Sequence, residues 1–103
     1  MRELTCAARR VGDQESRTEE YELRFAVDGG DGRVVRVKYQ AARAYEINAA
    51  LDDATATARD AITDADPNLS QPTDEALAKF SWRTLQSAKY EGGETRTATL
   101  ELG

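Results

Sequence analysis

Histidine is absent from the chain, and cysteine occurs once, at Cys6. Without an imidazole there is no Ser-His or Cys-His nucleophilic pair and no histidine-ligated metal. An enzyme built on these residues would have to use carboxylates, Lys, Arg, Tyr or a bound metal. One thiol cannot close an internal disulfide. Cys6, between Leu4 and Ala8 in an alternating run, reads as a small buried apolar side chain in a reducing compartment. Long apolar runs are missing too. No stretch approaches the ~20 residues that cross a bilayer, and Met1 to Cys6 lacks the apolar run of a signal peptide, so the expectation is a cytoplasmic protein without a membrane partner.

What is present suits a self-sufficient fold. A chain of 103 residues supports one hydrophobic core without staples, so residues 1–103 are expected to form a single α+β domain. The formal net charge is −5, and it is unevenly placed. Residues 1–40 balance eight basic against eight acidic side chains, whereas in residues 41–75 Arg43 and Arg59 face eight acids, a local net charge of −6. Eleven arginines against three lysines, with abundant Ala, Asp and Thr, match the usage of GC-rich or salt-adapted organisms. The acidity is therefore open to a reading as habitat as well as function.

Periodicity orders the chain. Glu3 to Val11 alternates weakly and reads as a half-buried strand, and Gly12 to Glu20 reads as a charged connection. Tyr21, Leu23, Phe25 and Val27 then alternate with Glu22, Arg24 and Ala26. Asp28-Gly29-Gly30-Asp31-Gly32 interrupts, and Val35, Val37 and Tyr39 resume the alternation, a β-hairpin whose loop glycines supply positive φ. From about Ala41 the period becomes 3.6, with Ala44, Ile47, Leu51, Ala54, Ala58 and Ile62 on one helix face, ending near Asp64 or Ala65 ahead of Pro67. A second helix is expected from Pro72 or Thr73, burying Leu77, Leu85 and Ala88, and stopping at Glu91-Gly92-Gly93-Glu94. Thr95 to Leu102 alternates as a last strand. The order β-β-β-α-α-β implies a four-stranded antiparallel sheet with both helices on one face. On the other face Arg9, Arg24, Arg36 and Lys38 would stand among Glu3, Glu22, Thr97, Thr99 and Glu101, a mixture that favours cross-strand ion pairs over direct nucleic-acid binding.

Four constellations invite a chemical reading. Asp64 to Glu75 has oxygen-bearing side chains at positions 1, 3, 5, 7 and 12, the spacing of a calcium loop. Leu69 stands where that loop turns on glycine, and Pro67 and Pro72 stiffen it, so a structural turn without metal is expected. Asp60 and Asp64, one helical turn apart, are able to converge on a proton or Mg²⁺, while Asp52 and Asp53 diverge. Glu46, Asp53, Asp60 and Asp64 recur on one side of the first helix, expected to be the side opposite its apolar stripe. They read either as a solvated face or as a docking ridge for a basic partner. Tyr45 and Trp82 lie off their stripes, either edging the core or anchoring a partner.

By elimination, the expected function is a non-enzymatic protein–protein interaction module with no cofactor and no metal. Its partner would be another protein or a second copy, docked through the acidic ridge Glu46, Asp53, Asp60 and Asp64 or through a strand edge. The alternatives are a small carboxylate- or metal-dependent enzyme and an acidic competitor of nucleic acid for a basic site.

Overall fold

The computed structural model describes residues 2–11, 18–40, 43, 45–91 and 95–102, with the side chains of Tyr45, Tyr90 and Glu91 outside the description. Six elements follow one another: β1 (Arg2–Val11), β2 (Thr18–Val27), β3 (Arg33–Gln40), α1 (Tyr45–Ala65), α2 (Asp74–Glu91) and β4 (Arg96–Leu102). The strands form one sheet in the order β3-β2-β1-β4, with every neighbouring pair antiparallel. The two helices lie on one face, α1 over β3 and β2, and α2 over β1 and β4. The α+β meander with a helical pair on one face is thus the architecture the periodicity implies.

Register follows the alternation. Leu4, Cys6 and Ala8 stand opposite Val27, Phe25 and Leu23 in β2, and opposite Leu100, Ala98 and Arg96 in β4. This one face, completed by Tyr21, Val37 and Tyr39, packs against Ala50, Ala54, Ala58 and Ile62 of α1 and against Leu77, Phe80, Leu85 and Ala88 of α2. Tyr21 stacks on Tyr39 with centroids 6.4 Å apart, and its hydroxyl donates to Glu19 at 2.8 Å, which satisfies the polar end of a buried ring. Burial and that hydrogen bond both raise the Tyr21 pKa.

Two boundaries and one buried face differ from expectation. β2 starts at Thr18, so Glu19 and Glu20 belong to a strand and not to the preceding connection; residues 12–17 lie outside the described residues. Glu19 pairs with Arg10 at 3.3 Å, and Glu20 stands opposite Lys38 in the ladder. α1 begins at Tyr45 and not Ala41; of the four residues before it only Arg43 is described, and Glu46 N–H donates to its carbonyl at 3.0 Å. The buried stripe of α1 is also rotated, running through Ala50, Ala54, Ala58, Ala61 and Ile62, with Leu51 half-buried. Methyl-sized side chains let the helix axis approach the sheet closely, and they win the inner positions over a leucine that prefers a roomier flank.

Two polar side chains enter the core unannounced by period. Ser81 and Thr84 are buried on α2, where their hydroxyls donate to the carbonyls of Leu77 and Phe80 at 2.8 and 2.9 Å. Bonding back one turn satisfies each hydroxyl within its own helix and makes burial tolerable. Trp82 is half-buried and packs against the edge of the core. The start of α2 is capped by Thr73, whose hydroxyl oxygen accepts from Ala76 N–H at 3.1 Å.

Cys6 is fully buried, and desolvation pushes its thiol up to about 12 against a lowering hydrogen bond with Thr84. A thiol held this far above neutral carries almost no thiolate at pH 8. A disulfide reagent at that pH should therefore label Cys6 only as fast as the protein opens, and rapid labelling of the native state would contradict its placement.

Candidate functional site

The acidic residues of α1 are not arrayed opposite the core. At about 100° per residue, positions 46, 53, 60 and 64 lie roughly a quarter-turn round the helix from the buried alanine line. That quarter-turn aims them at β3. Arg33, first residue of β3, reaches Asp60 at 3.7 Å and forms a two-pronged pair with Asp64, while Gln40 at the other end donates its N–H to Glu46 Oε2 at 2.7 Å. α1 therefore runs antiparallel to β3, and the ridge becomes one wall of a trough along the sheet edge.

The two ends of the trough are closed electrostatically. Asp64 sits in the last turn of α1, which carries no basic residue of its own, so its charge opposes the helix dipole and Arg33 offsets the conflict. The Arg33 guanidinium holds the Asp64 carboxyl below the usual carboxylate range. Arg33 lies 31 positions away in sequence, so inspection of the helix alone could not reveal it. Glu46 is half-buried and also pairs with Arg43 at 3.6 Å. Asp53, midway along the helix, is exposed and pairs with no cation among the described residues.

Between these ends is a hollow of about 330 Å³. Arg36, Val37 and Lys38 of β3 form one side, and Glu46, Ala49, Ala50 and Asp53 of α1 the other. Its floor is apolar and short, because Val37 and the two alanines leave the space that larger side chains would fill. Its walls carry Glu46 and Asp53.

Hydrogen-bond parity defines what β3 presents there. In an antiparallel ladder each residue points both backbone groups at the same neighbour, and successive residues alternate sides. Asp28 N–H donates to Glu3 O at 3.0 Å, so the even residues of β2 bond β1 and its odd residues bond β3. Their partners Arg33, Val35, Val37 and Tyr39 are consequently the bonded residues of β3. Val34, Arg36 and Lys38 are left pointing N–H and C=O away from the sheet. The Gln40 N–H, of the same parity, agrees, since it leaves the ladder for Glu46.

The other constellations are dispersed. Of the calcium-like segment, Asp64 holds Arg33, Asp66 accepts from Asn68 N–H at 2.9 Å, Asp74 holds Arg59, and Glu75 pairs with Lys79 at 3.1 Å. Leu69 packs against the core in mid-turn. No three acidic or thiol side chains converge among the described residues. Calcium up to about a millimolar should thus leave the amide spectrum of Asp64 to Glu75 unchanged, and a saturable response lost in Asp64→Ala would overturn this. Asp52 and Asp53 diverge as their spacing requires: Asp53 faces the β3 trough, and Asp52 lines a hollow with Asp74 and Glu75. The Asp60 and Asp64 carboxylates do converge, but on Arg33.

On the open sheet face Arg9 and Arg36 flank Glu22 at 3.3 and 3.6 Å, the cross-strand ion pairs that alternation implies. Arg24 donates to the carbonyl of Asp31 in the hairpin loop. The Tyr45 side chain, a candidate anchor by sequence, lies outside the described residues. No helix among the described residues is long and apolar enough to cross a membrane. The chain matches no family model, no curated protein and no solved structure.

Proposed function

We propose that this protein is a non-enzymatic interaction module that docks another protein along the trough between α1 and β3. The observation that carries the reading is the coincidence, in one groove, of three edge residues whose backbone groups point away from the sheet and an exposed carboxylate, Asp53, that forms no ion pair among the described residues. Edge strands are ordinarily blunted, because an unpaired edge templates pairing with another chain. Here both ends are tied down by side chains from α1, and the middle is left open.

The rival enzymatic reading draws less support. Acid–base chemistry needs a carboxylate available to a substrate proton, whereas Asp60 and Asp64 are engaged by one guanidinium. An acidic competitor of nucleic acid would need a broad uncompensated surface, and most acids of α1 are paired.

Neutralising the whole ridge is a poor test, since Glu46, Asp60 and Asp64 each hold a piece of the fold. Asp53 alone separates docking from folding. With a partner captured from the cells that make the protein, Asp53→Lys should slow association several-fold at low salt and change the rate little at high salt, because an exposed charge acts mainly by steering encounter. Its melting temperature should stay within about 2–4 °C of wild type, as a surface change of about ±0.5 kcal/mol implies. Equal association rates for both proteins at low salt would remove the docking reading.

A further inference from the structure

Resting on this docking reading, we infer that the occupant of the trough is an extended peptide segment that adds to β3 as a fifth strand. The segment places a small aliphatic side chain over Val37, Ala49 and Ala50, and a lysine or arginine on either side of it. Main-chain pairing with Val34, Arg36 and Lys38 holds the segment, and the trough reads alternate side chains, as strand addition generally divides the work.

The pattern follows from the dimensions of the two wall elements. Ala49 and Ala50 lie midway between Glu46 and Asp53, so each carboxylate is about 5 Å from the alanines along the axis at a helical rise of ~1.5 Å per residue. On an added strand, side chains facing the same way recur every two residues, about 6.7 Å apart. A residue seated over the alanines therefore carries its neighbours two positions away just past the two carboxylates. Long basic side chains bridge that remainder easily. The order is basic, any, small aliphatic, any, basic. The short floor of Val37, Ala49 and Ala50 offers little apolar surface, which favours a small aliphatic residue at the centre over an aromatic or long aliphatic one.

Charge complementarity supports the assignment. The α1 wall belongs to the segment with a local net charge of −6, and Asp53 is its uncommitted member, while Glu46, held through Oε2 by Gln40 N–H and through Oε1 by Arg43, has only the second lone pair of each oxygen left for a peptide cation. The outward-facing positions of the added strand would meet Arg36 and Lys38, which disfavours further basic residues there. An all-basic segment would therefore bind less well than one that alternates.

The test uses the full chain and synthetic peptides. The capped heptapeptide Thr-Lys-Thr-Val-Thr-Lys-Thr should bind, shifting the amide resonances of Val34, Arg36 and Lys38, and its counterpart with glutamates in place of both lysines should not. Methylating the backbone nitrogen of the peptide one residue at a time should weaken binding about tenfold or more at alternate positions and little at those between, because only every second amide faces β3. Ala49→Leu, a change at an exposed helix position, should fill the trough and abolish binding while leaving the fold intact. Absence of binding at millimolar lysine peptide, shifts on another surface, or a methylation profile without alternation would overturn the proposal. If the peptide fails while Asp53→Lys still slows the captured partner, strand addition falls and docking stands. If the chain alone dimerises and Ala49→Leu dissociates it, the occupant is a second copy, and the peptide assignment falls.

Discussion

Phe25→Ala should destabilise the protein by about 3–5 kcal/mol, the usual cost of emptying a phenylalanine site in a close-packed core. Phe25 is fully buried in the second strand from the β3 edge, opposite Cys6 on one side and Arg33 on the other. Neither neighbour can collapse into the space: Cys6 is fixed at a central strand position, and Arg33 is held by Asp60 and Asp64. For a chain of this length, total stability is on the order of 5–15 kcal/mol, so the variant should lie near its unfolding midpoint at modest urea. Urea titration followed by tryptophan fluorescence measures the shift. A loss under about 1 kcal/mol would mean that Leu23 and Phe25 do not face the helices, and that the hairpin register is wrong.

Gly32→Ala should be the other costly single change, and Gly29→Ala separates its two causes. Both glycines have positive φ, 76° at Gly29 and 72° at Gly32, so an alanine at either is strained by about 1–2 kcal/mol. A methyl group at Gly29 meets open space, whereas at Gly32 it would overlap the carbonyl of Phe25 and crowd the Ala26 side chain. Backbone cannot rotate aside as a side chain can. Gly32→Ala should therefore lose clearly more than Gly29→Ala, on the order of 3 kcal/mol or above once strain and displacement of the β2 backbone combine. Equal losses in thermal melts of the two variants would show that conformation alone governs the turn. Asp28, with φ of 51°, tolerates the same region because its carboxylate accepts from Glu3 N–H at 2.9 Å and from Arg2 Nε at 2.7 Å. Those bonds, the Arg2 one first, hold its carboxyl below the usual carboxylate range.

The elements themselves were legible because each is local. Tyr21, Leu23 and Phe25 alternate without interruption, the α1 stripe repeats every three or four residues, and Pro67 forbids its continuation. All of that is decided within about ten residues of chain. What the sequence concealed is decided across distance. The acids of α1 looked free because Arg33, which neutralises two of them, belongs to a different element. Their projection is hidden for a simpler reason: the core line runs through alanines, whose hydrophobic signal is weak beside that of Leu51 on the flank. The trough was illegible altogether, being made of residues that are absent in bulk, Ala49 and Ala50, and of backbone groups that every strand possesses. Its one textual trace is the even spacing of Glu46, Asp53 and Asp60, which marks a helix flank without saying what lies beside it.

The register that sets Leu4 against Leu100 imposes an order of events on the folding chain. The turn joining Val27 to Arg33 shuts a loop of a few residues, whereas bringing β4 to β1 ties together nearly the whole polypeptide. Under a logarithmic loop law, the two closures differ by roughly 2–3 kcal/mol of chain entropy. The meander can thus form while the chain beyond it is still disordered. The final strand must wait until α1 and α2 have condensed on the sheet and carried the chain back across it, shrinking the loop that remains to be closed. Until then the inner backbone of β1 is itself an unpaired edge. During that interval the nascent sheet has β1 and β3 as its two open sides, and only the first of them is later covered by β4.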